Sequence, residues 1–211
     1  MRSVVFPIIG INILVYLIQI MWEPFTGLFL LDQSKVLMEP YRLLTSMFMH
    51  GSNSHIAFNM FGLLIFGPIL EQIIGPKRFL YTYIGSGLFA GIVAAFLYPL
   101  ALGASGAIFG MLGVLIMLLP NLKILLFFII PMPLWMAGVL WVGIDVFGLF
   151  NPGSVANAAH LAGIAAGFGY GYYLKHPKLR PRRKKPQTKI MTGDIELSDE
   201  DIEQFKRTGR I

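Results

Sequence analysis

The chain has 211 residues, of which 55% are hydrophobic and only 13% are charged. Its mean hydropathy is +0.67, whereas an average soluble domain carries about 25% charged residues. This composition argues against a water-soluble globular protein and excludes low-complexity disorder for most of the length. The chain contains no cysteine, which excludes a disulfide, a thiol nucleophile and a metal site with thiolate ligands.

Six apolar segments are candidates to cross a bilayer as helices, which takes about 20 residues each. They are Val4–Trp22, Ile56–Ile74, Phe79–Leu102, Ser105–Leu119, Ile124–Val142 and Val155–Leu174. The first is interpreted as a retained helix rather than a signal peptide, because no clear small-x-small cleavage site follows it. The fourth would form only about 22 Å of helix, against a hydrocarbon core of about 30 Å. We therefore expect one of its ends to stop inside the protein.

The charge distribution predicts the orientation of these segments. Residues 1–174 carry six Lys or Arg and five Asp or Glu, and residues 175–211 carry eleven and six. Because basic residues accumulate on the cytoplasmic side of membrane helices, the tail is predicted to be cytoplasmic, and six spans place the N-terminus there too. The loops at 75–78 and 120–123, which then lie inside, are both basic. Lys35 and Arg42, in the long first loop that is predicted to lie outside, do not follow this distribution of basic residues.

We therefore predict one all-α, polytopic six-helix membrane domain over residues 1–174, followed by a basic cytoplasmic tail over residues 175–211. Ser198 and the acids after it favour a short helix in that tail. A basic run beside a membrane span is interpreted as a topology anchor that attracts anionic lipid, not as a nucleic-acid site. The expected location is a prokaryotic cell membrane, with the lipid bilayer as a partner. The oligomeric state is not predicted.

Polar residues inside the spans are candidates for function, because burying them in a bilayer is costly. They are His55, Asn59, Glu71, Ser105, Asp145, Asn157 and His160, together with His50 in the outer loop. A metal site is a rival use of the histidines. The chain lacks H-E-x-x-H and has no adjacent carboxylate ligands, so we expect no metal and no cofactor.

Ser105 opens the fourth segment, in the sequence Gly103-Ala104-Ser105-Gly106. A helix N-terminus offers N–H groups and the positive end of the helix dipole to an oxyanion. The short segment also places the serine in a hollow that water can reach. Taken alone, the motif is more typical of a serine N-cap beside packing glycines, and it is not the G-x-S-x-G elbow of soluble hydrolases.

His160 lies about one turn into the sixth segment, at roughly the depth of Ser105. Small residues recur every four positions on both helices, at Gly106 and Gly110 and at Ala159, Gly163 and Gly167. Such faces pack closely, so we expect the imidazole and the hydroxyl to come within hydrogen-bond reach. A lone intramembrane histidine is otherwise more often structural or part of a proton relay.

The remaining polar residues have two interpretations each. His55 and Asn59 share one face of the second helix; they either donate hydrogen bonds to an oxyanion beside the serine or hydrogen-bond between helices. For Asp145, local hydrogen bonding near the membrane interface is favoured over orientation of His160. Glu71 is expected to cap or brace a neighbouring helix.

Three of these motifs together resemble the rhomboid intramembrane serine proteases. The matching segments are His50-Gly51-Ser52-Asn53-Ser54-His55-Ile56-Ala57-Phe58-Asn59, Gly103-Ala104-Ser105-Gly106, and Ala159-His160-Leu161-Ala162-Gly163 with Gly167. A fourth segment, Glu39-Pro40-Tyr41-Arg42, is similar to the aromatic-Arg segment in the family's first outer loop, with Tyr where Trp is commoner. The resemblance covers about residues 1–174.

The resemblance implies a catalytic dyad of Ser105 and His160 and no catalytic acid. It also implies an oxyanion hole formed by His55, Asn59 and the Ser105 backbone N–H. Phe109 stands where the family often has an aromatic residue packed against the histidine. The implied function is hydrolysis of peptide bonds in or near transmembrane segments of other membrane proteins. The alternatives are a transporter whose polar cluster lines a pathway, and an inactive relative that binds membrane helices.

Overall fold

The computed structural model describes residues 3–126, 129–151, 153, 155–176 and 199–208. The chain divides into two units, Met1–Arg180 and Pro181–Ile211. The second unit contributes one described helix, labelled α9 below. The first unit contains the candidate site and all the other described elements.

The chain is mostly helical, as predicted. In order, the helices are α1 (Val5–Met21), α2 (Pro24–Phe29), α3 (Arg42–Thr45), α4 (Asn53–Ile74), α5 (Pro76–Leu97), α6 (Ser105–Leu118), α7 (Leu134–Phe150), α8 (Asn157–Lys175) and α9 (Asp199–Thr208). A 3-10 turn, Ser46–Phe48, follows α3. Four short strands form two antiparallel pairs: β1 (Leu31–Asp32) with β2 (Leu100–Ala101), and β3 (Lys123–Leu126) with β4 (Ile130–Pro133).

Two helices among the described residues, α4 and α5, are long and apolar enough to cross a membrane. Helices α1, α6 and α7 are apolar but shorter. The six predicted segments overlap α1, α4, α5, α6, α7 and α8. The number of membrane spans stays a prediction, because length and composition single out only two of these helices.

The prediction of one helix over Ile124–Val142 is wrong. The hairpin β3–β4 occupies the first part of that segment, and α7 begins only at Leu134. Pro131 and Pro133 explain the difference, because proline lacks the N–H that a helix interior needs and drives the residue before it into an extended conformation. The third segment ends early, at Leu97 rather than Leu102, for the same reason: Pro99 follows directly after the extended Tyr98.

Helix α6 is the centre of the first unit. It contacts α4, α5, α7 and α8, and nine of its 14 residues are buried. Met111, Val114 and Leu115 are fully buried within it. The helix that begins with the candidate nucleophile is therefore held by protein on several sides.

Glycines bring the backbones of α6 and α8 into direct contact. A Cβ built on Gly163 would lie 2.2 Å from the carbonyl oxygen of Gly106, and one on Gly167 would lie 2.0 Å from that of Gly110. No side chain fits at such distances. The predicted packing of the two small-residue stripes is confirmed, and it fixes how α8 sits against the N-terminal end of α6.

Candidate active site

A glycine turn places Ser105 at the start of α6. Gly103 has a φ of 125°, a backbone conformation that side chains disfavour, and its N–H donates to the carbonyl of Ser46 at 2.9 Å. Ala104 is the N-cap residue of α6 and makes no side-chain cap bond. Ser105 is thus the first helical residue, not the N-cap, and its backbone N–H has no acceptor within the helix.

The Ser105 hydroxyl contacts His160 across the α6–α8 interface. The distance between Ser105 Oγ and His160 Nε2 is 2.8 Å. His160 lies in the first turn of α8, where its backbone N–H donates to the carbonyl of Ala156. Phe109, one turn along α6, stacks on the imidazole with ring centroids 4.4 Å apart and planes 9° apart, which holds the ring in the orientation that faces the serine.

The other ring nitrogen of His160 contacts an acid. Asp145, on α7, is 3% exposed, and its Oδ1 lies 3.0 Å from His160 Nδ1. The same oxygen accepts a hydrogen bond from Asn157 Nδ2 at 2.8 Å. The interpretation of Asp145 as a local interfacial group is therefore wrong, because the side chain reaches the histidine on another helix. Sequence reasoning gave it too little weight, since its only signal was an acid at the same predicted depth.

His55 borders the space in front of the serine. The Ser52 side chain caps α4 by accepting from the His55 N–H at 3.1 Å, which puts His55 in the first turn. A Cβ on Gly103 would lie 2.8 Å from His55 Nε2 and 3.8 Å from Ser105 Oγ. The Gly51 N–H donates to His55 Nδ1 at 3.4 Å, so the proton of the neutral ring is on Nε2, the nitrogen that borders this space.

Asn59 has a different environment. It is buried, and its Nδ2 donates to the carbonyl of His55 at 2.9 Å, within its own helix. Among the described residues it makes no hydrogen bond to Ser105. Its role toward an oxyanion stays a prediction, resting on the second N–H of its amide.

An open recess of about 40 Å³ lies beside Ser105. Ten of its fifteen lining residues are glycine or alanine, including Gly87, Ala90 and Gly91 on α5 and Ala159 on α8. Small lining residues create the space, and it is sized for a small side chain.

His50 packs against the site from the loop before α4. It is 2% exposed, and its ring lies edge-on to that of His55 with centroids 5.1 Å apart. Burial lowers the pKa of His50 to about 4, and the nearby His55 acts in the same direction. No group of three or more potential metal ligands is found within the described ranges.

Two further charged residues, Arg42 in α3 and Glu71 in the last turn of α4, connect separate parts of the first unit. Arg42, the first residue of α3, is buried and donates to the carbonyls of Gly27 and Leu30 at 3.0 and 2.8 Å. Its hydrogen bond to Glu39 lowers the pKa of that carboxyl. Glu71 accepts from the Ser3 hydroxyl and from the N–H of Val4 at 2.7 Å, so the prediction that it braces a neighbouring helix is confirmed.

Comparison with known proteins gives the family. The model of the rhomboid domain matches residues 38–177. Rhomboid protein 1, mitochondrial, of Saccharomyces cerevisiae is 32% identical over 200 residues, covering 88% of this chain and 57% of the relative. Rhomboid protease GluP of Bacillus subtilis is 36% identical over 147 residues, covering 66% and 27%. The human presenilin-associated rhomboid-like protein, mitochondrial, is 32% identical over 167 residues, covering 74% and 43%.

The chain spans only part of the length of these relatives, from 27% to 57%. The matched region nevertheless includes the turn before α4, the start of α6 and the start of α8, which carry the candidate site. Members of the matched family are integral membrane proteins, in agreement with the composition. This chain belongs to the rhomboid family.

Proposed function

We propose that this protein is an intramembrane serine protease, which hydrolyses peptide bonds in or near transmembrane segments of other membrane proteins. The observation that carries the proposal is the 2.8 Å contact between Ser105 Oγ and His160 Nε2, at the start of two helices with close-packed backbones. Family membership supports the same reaction class.

In the proposed reaction Ser105 is the nucleophile and His160 the general base. As Oγ bonds to the scissile carbonyl carbon, the serine proton moves to His160 Nε2. The imidazolium then gives that proton to the leaving amine, which departs and leaves an acyl-enzyme ester. Water attacks the ester by the same route, with His160 taking its proton and returning one to Ser105.

The oxyanion formed in each step needs hydrogen-bond donors on the other side of the carbonyl. The proposed donors are the Ser105 backbone N–H, His55 Nε2 and Asn59 Nδ2. The space at Gly103 is bordered by His55 Nε2 and by Ser105 Oγ, which supports His55 as a donor beside the nucleophile, and the Ser105 N–H is free of any acceptor within its helix. Fixed donors in a low-dielectric site stabilise a developing negative charge more than they stabilise a neutral carbonyl.

The proposed substrate enters as an extended segment. An intact helix hides its carbonyls in backbone hydrogen bonds, so a transmembrane substrate must unwind locally beside Ser105.

We infer that the recess beside Ser105 takes a small side chain next to the scissile bond. Placing Phe instead of Ala there should slow cleavage about 10- to 200-fold. The same change several residues away is the control, and equal rates for both substrates would remove the recess from the proposal.

The decisive experiment compares wild-type protein with Ser105→Ala in liposomes that contain a generic transmembrane substrate. We expect cleavage by the wild type only, and fluorophosphonate labelling that is lost in Ser105→Ala and in His160→Ala. A transporter would keep its transport in Ser105→Ala. An inactive relative would bind the substrate without cleavage or labelling, and that result would overturn the proposal.

We further propose a six-span topology with both termini in the cytoplasm and the site open to the outer side. The relatives include both bacterial and mitochondrial proteins, so the prokaryotic cell membrane stays a prediction. The absence of native cysteine makes labelling direct. An impermeant thiol reagent added outside should label Gly153→Cys and not Ile190→Cys, and the reverse pattern would refute the orientation.

A further inference from the structure

The carboxylate of Asp145 occupies the position opposite the serine on the same imidazole. His160 Nε2 faces Ser105 Oγ at 2.8 Å, and His160 Nδ1 faces Asp145 Oδ1 at 3.0 Å. The three side chains come from three helices, α6, α8 and α7. They form a continuous hydrogen-bonded chain from the nucleophile to a buried acid.

The acid determines which nitrogen of His160 carries the proton. An ionised carboxylate can only accept hydrogen bonds, so the neutral ring must have its proton on Nδ1. Nε2 is then left with a lone pair directed at the Ser105 hydroxyl. A general base needs this tautomer, because the opposite one would present an N–H to the serine and could not take its proton.

The contacts of Asp145 show which group its negative charge can stabilise. Among the described residues no lysine or arginine forms an ion pair with it, and its one ionisable partner is His160. A buried carboxylate without a compensating partner costs several kcal/mol. Asn157 supports it with a neutral amide, which orients Oδ1 but does not compensate its charge. A transient imidazolium on His160 would compensate it during the reaction.

The other groups that face His160 do not replace this acid. Helix α6 contributes the Ser105 hydroxyl and the Phe109 ring. Helix α4 contributes His55, a neutral imidazole that accepts from the Gly51 N–H and supplies no negative charge. Within the part of the chain that the structure describes, the one anionic group in contact with the ring therefore comes from α7.

We propose that Asp145 is a positioning residue, which fixes the tautomer and orientation of His160 and stabilises the imidazolium, so that this protein works with a Ser–His–Asp arrangement. This inference rests on the proposed protease function. Asp145 is not protonated in the cycle: the serine proton stays on His160 Nε2 until the leaving amine takes it.

Kinetics of two matched variants test the proposal. Asp145→Asn replaces the charge with a neutral amide of the same shape, and Asn157→Ala removes the other contact of Oδ1 without touching the ring of His160. We expect Asp145→Asn to lower kcat about 100-fold with little change in KM, and Asn157→Ala to lower it far less. If Asp145 merely ties α7 to α8, both variants should lose similar stability and similar turnover.

The outcomes separate this inference from the proposed function. Wild-type protein that is folded but neither cleaves nor labels would overturn the protease proposal. Wild-type cleavage with near-normal kcat in folded Asp145→Asn would overturn only the role of the acid.

A spectroscopic measurement on the wild-type protein tests the tautomer of His160 without any change at Asp145. The chain has only four histidines, so selective ¹⁵N labelling gives few imidazole signals, and His160→Gln assigns the one of interest. In wild-type protein at neutral pH we expect a protonated Nδ1 and an unprotonated Nε2 for His160. A protonated Nε2 with a bare Nδ1 would overturn the proposal without any activity measurement.

Discussion

Helices α6 and α7 each direct one polar side chain at His160, but they are held in the fold in different ways. Nine of the 14 residues of α6 are buried, and its glycines contact the backbone of α8. In α7, of 17 residues, only Leu134, Ala137, Gly138 and Asp145 are buried. The nucleophile therefore stands on a helix fixed by close backbone contacts, and the acid on one that packs along a single face.

The outward side of α7 is almost entirely apolar. Its exposed large side chains are Trp135, Met136, Val139, Leu140, Ile144, Val146, Phe147, Leu149 and Phe150. Such a surface suits a lipid environment, where it adds little to the position of the helix relative to its neighbours. Asn157, on α8, contacts both Asp145 and Gly148 of this helix, so α7 is tied to α8 by side-chain contacts rather than by close backbone contact.

The largest effect is expected at the contact between α6 and α8. Ser105→Ala, His160→Ala and the double variant should all insert and fold, and each should lose nearly all turnover, by about 10⁴-fold or more. Nucleophile and base act in one step, so the double variant should be hardly worse than either single variant. Cleavage rates in liposomes, with melting temperatures as the folding control, check this. Losses that multiply in the double variant would show that the two residues do not act as a unit.

The next effect concerns α4, which contributes the proposed oxyanion donors. His55→Ala should lower kcat about 100- to 1000-fold, well beyond any change in KM, with a modest loss of stability. Asn59→Ala should also lower kcat, but less, because its amide already donates to the His55 carbonyl at 2.9 Å. Measuring kcat and melting temperature on both variants decides the matter. Normal turnover together with a large stability loss would assign these residues to helix packing instead.

Glycine substitutions test whether α6 and α8 are fixed by backbone contact. Gly163→Ala places a Cβ 2.2 Å from a carbonyl oxygen of α6 and should destabilise the fold by about 3 kcal/mol or more. Gly169→Ala, on the same helix with nothing within 4 Å, should be neutral or stabilising by up to about 1 kcal/mol.

Gly143→Ala on α7, also with nothing within 4 Å, is a second control for the same experiment. Thermal unfolding in one detergent compares the three variants. Equal stability of Gly163→Ala and Gly169→Ala would contradict the close backbone contact between α6 and α8.

The smallest effect is expected from His50, which packs against His55 from the loop before α4. Its pKa is about 4 in the folded protein, below its usual 6.5. Between pH 6.5 and 4, His50 becomes protonated in the unfolded chain but stays neutral in the folded protein. The free energy of unfolding should therefore fall as the pH is lowered through this range, by up to about 3 kcal/mol. His50→Phe cannot titrate, so the difference in unfolding free energy between wild type and variant should change over this range. A difference that is constant with pH would contradict the lowered pKa.

Much of the site could be predicted from the sequence, because its signals are local. Ser105 follows a glycine turn and begins a short helix, and His160 lies beside the small-residue stripe that brings α8 against α6. His55 lies three residues after the serine that caps α4. Each of these signals depends on neighbouring residues and on helix periodicity. The hairpin β3–β4 also had a local signal, because Pro131 and Pro133 disfavour a helix. The apolar residues around them nevertheless led to the prediction of one continuous helix.

The helical class, the apolar character and the two residues that meet across the glycine stripes follow from the amino-acid sequence, because small residues leave helices few ways to pack. The partner of the other imidazole nitrogen follows instead from how the helices are arranged in the fold. Asp145 and His160 lie on different helices, and their contact depends on the rotation of α7 about its own axis. An apolar helix with a largely uniform surface does not encode that rotation, because it is decided by the contacts that the buried face of α7 makes with α6 and α8.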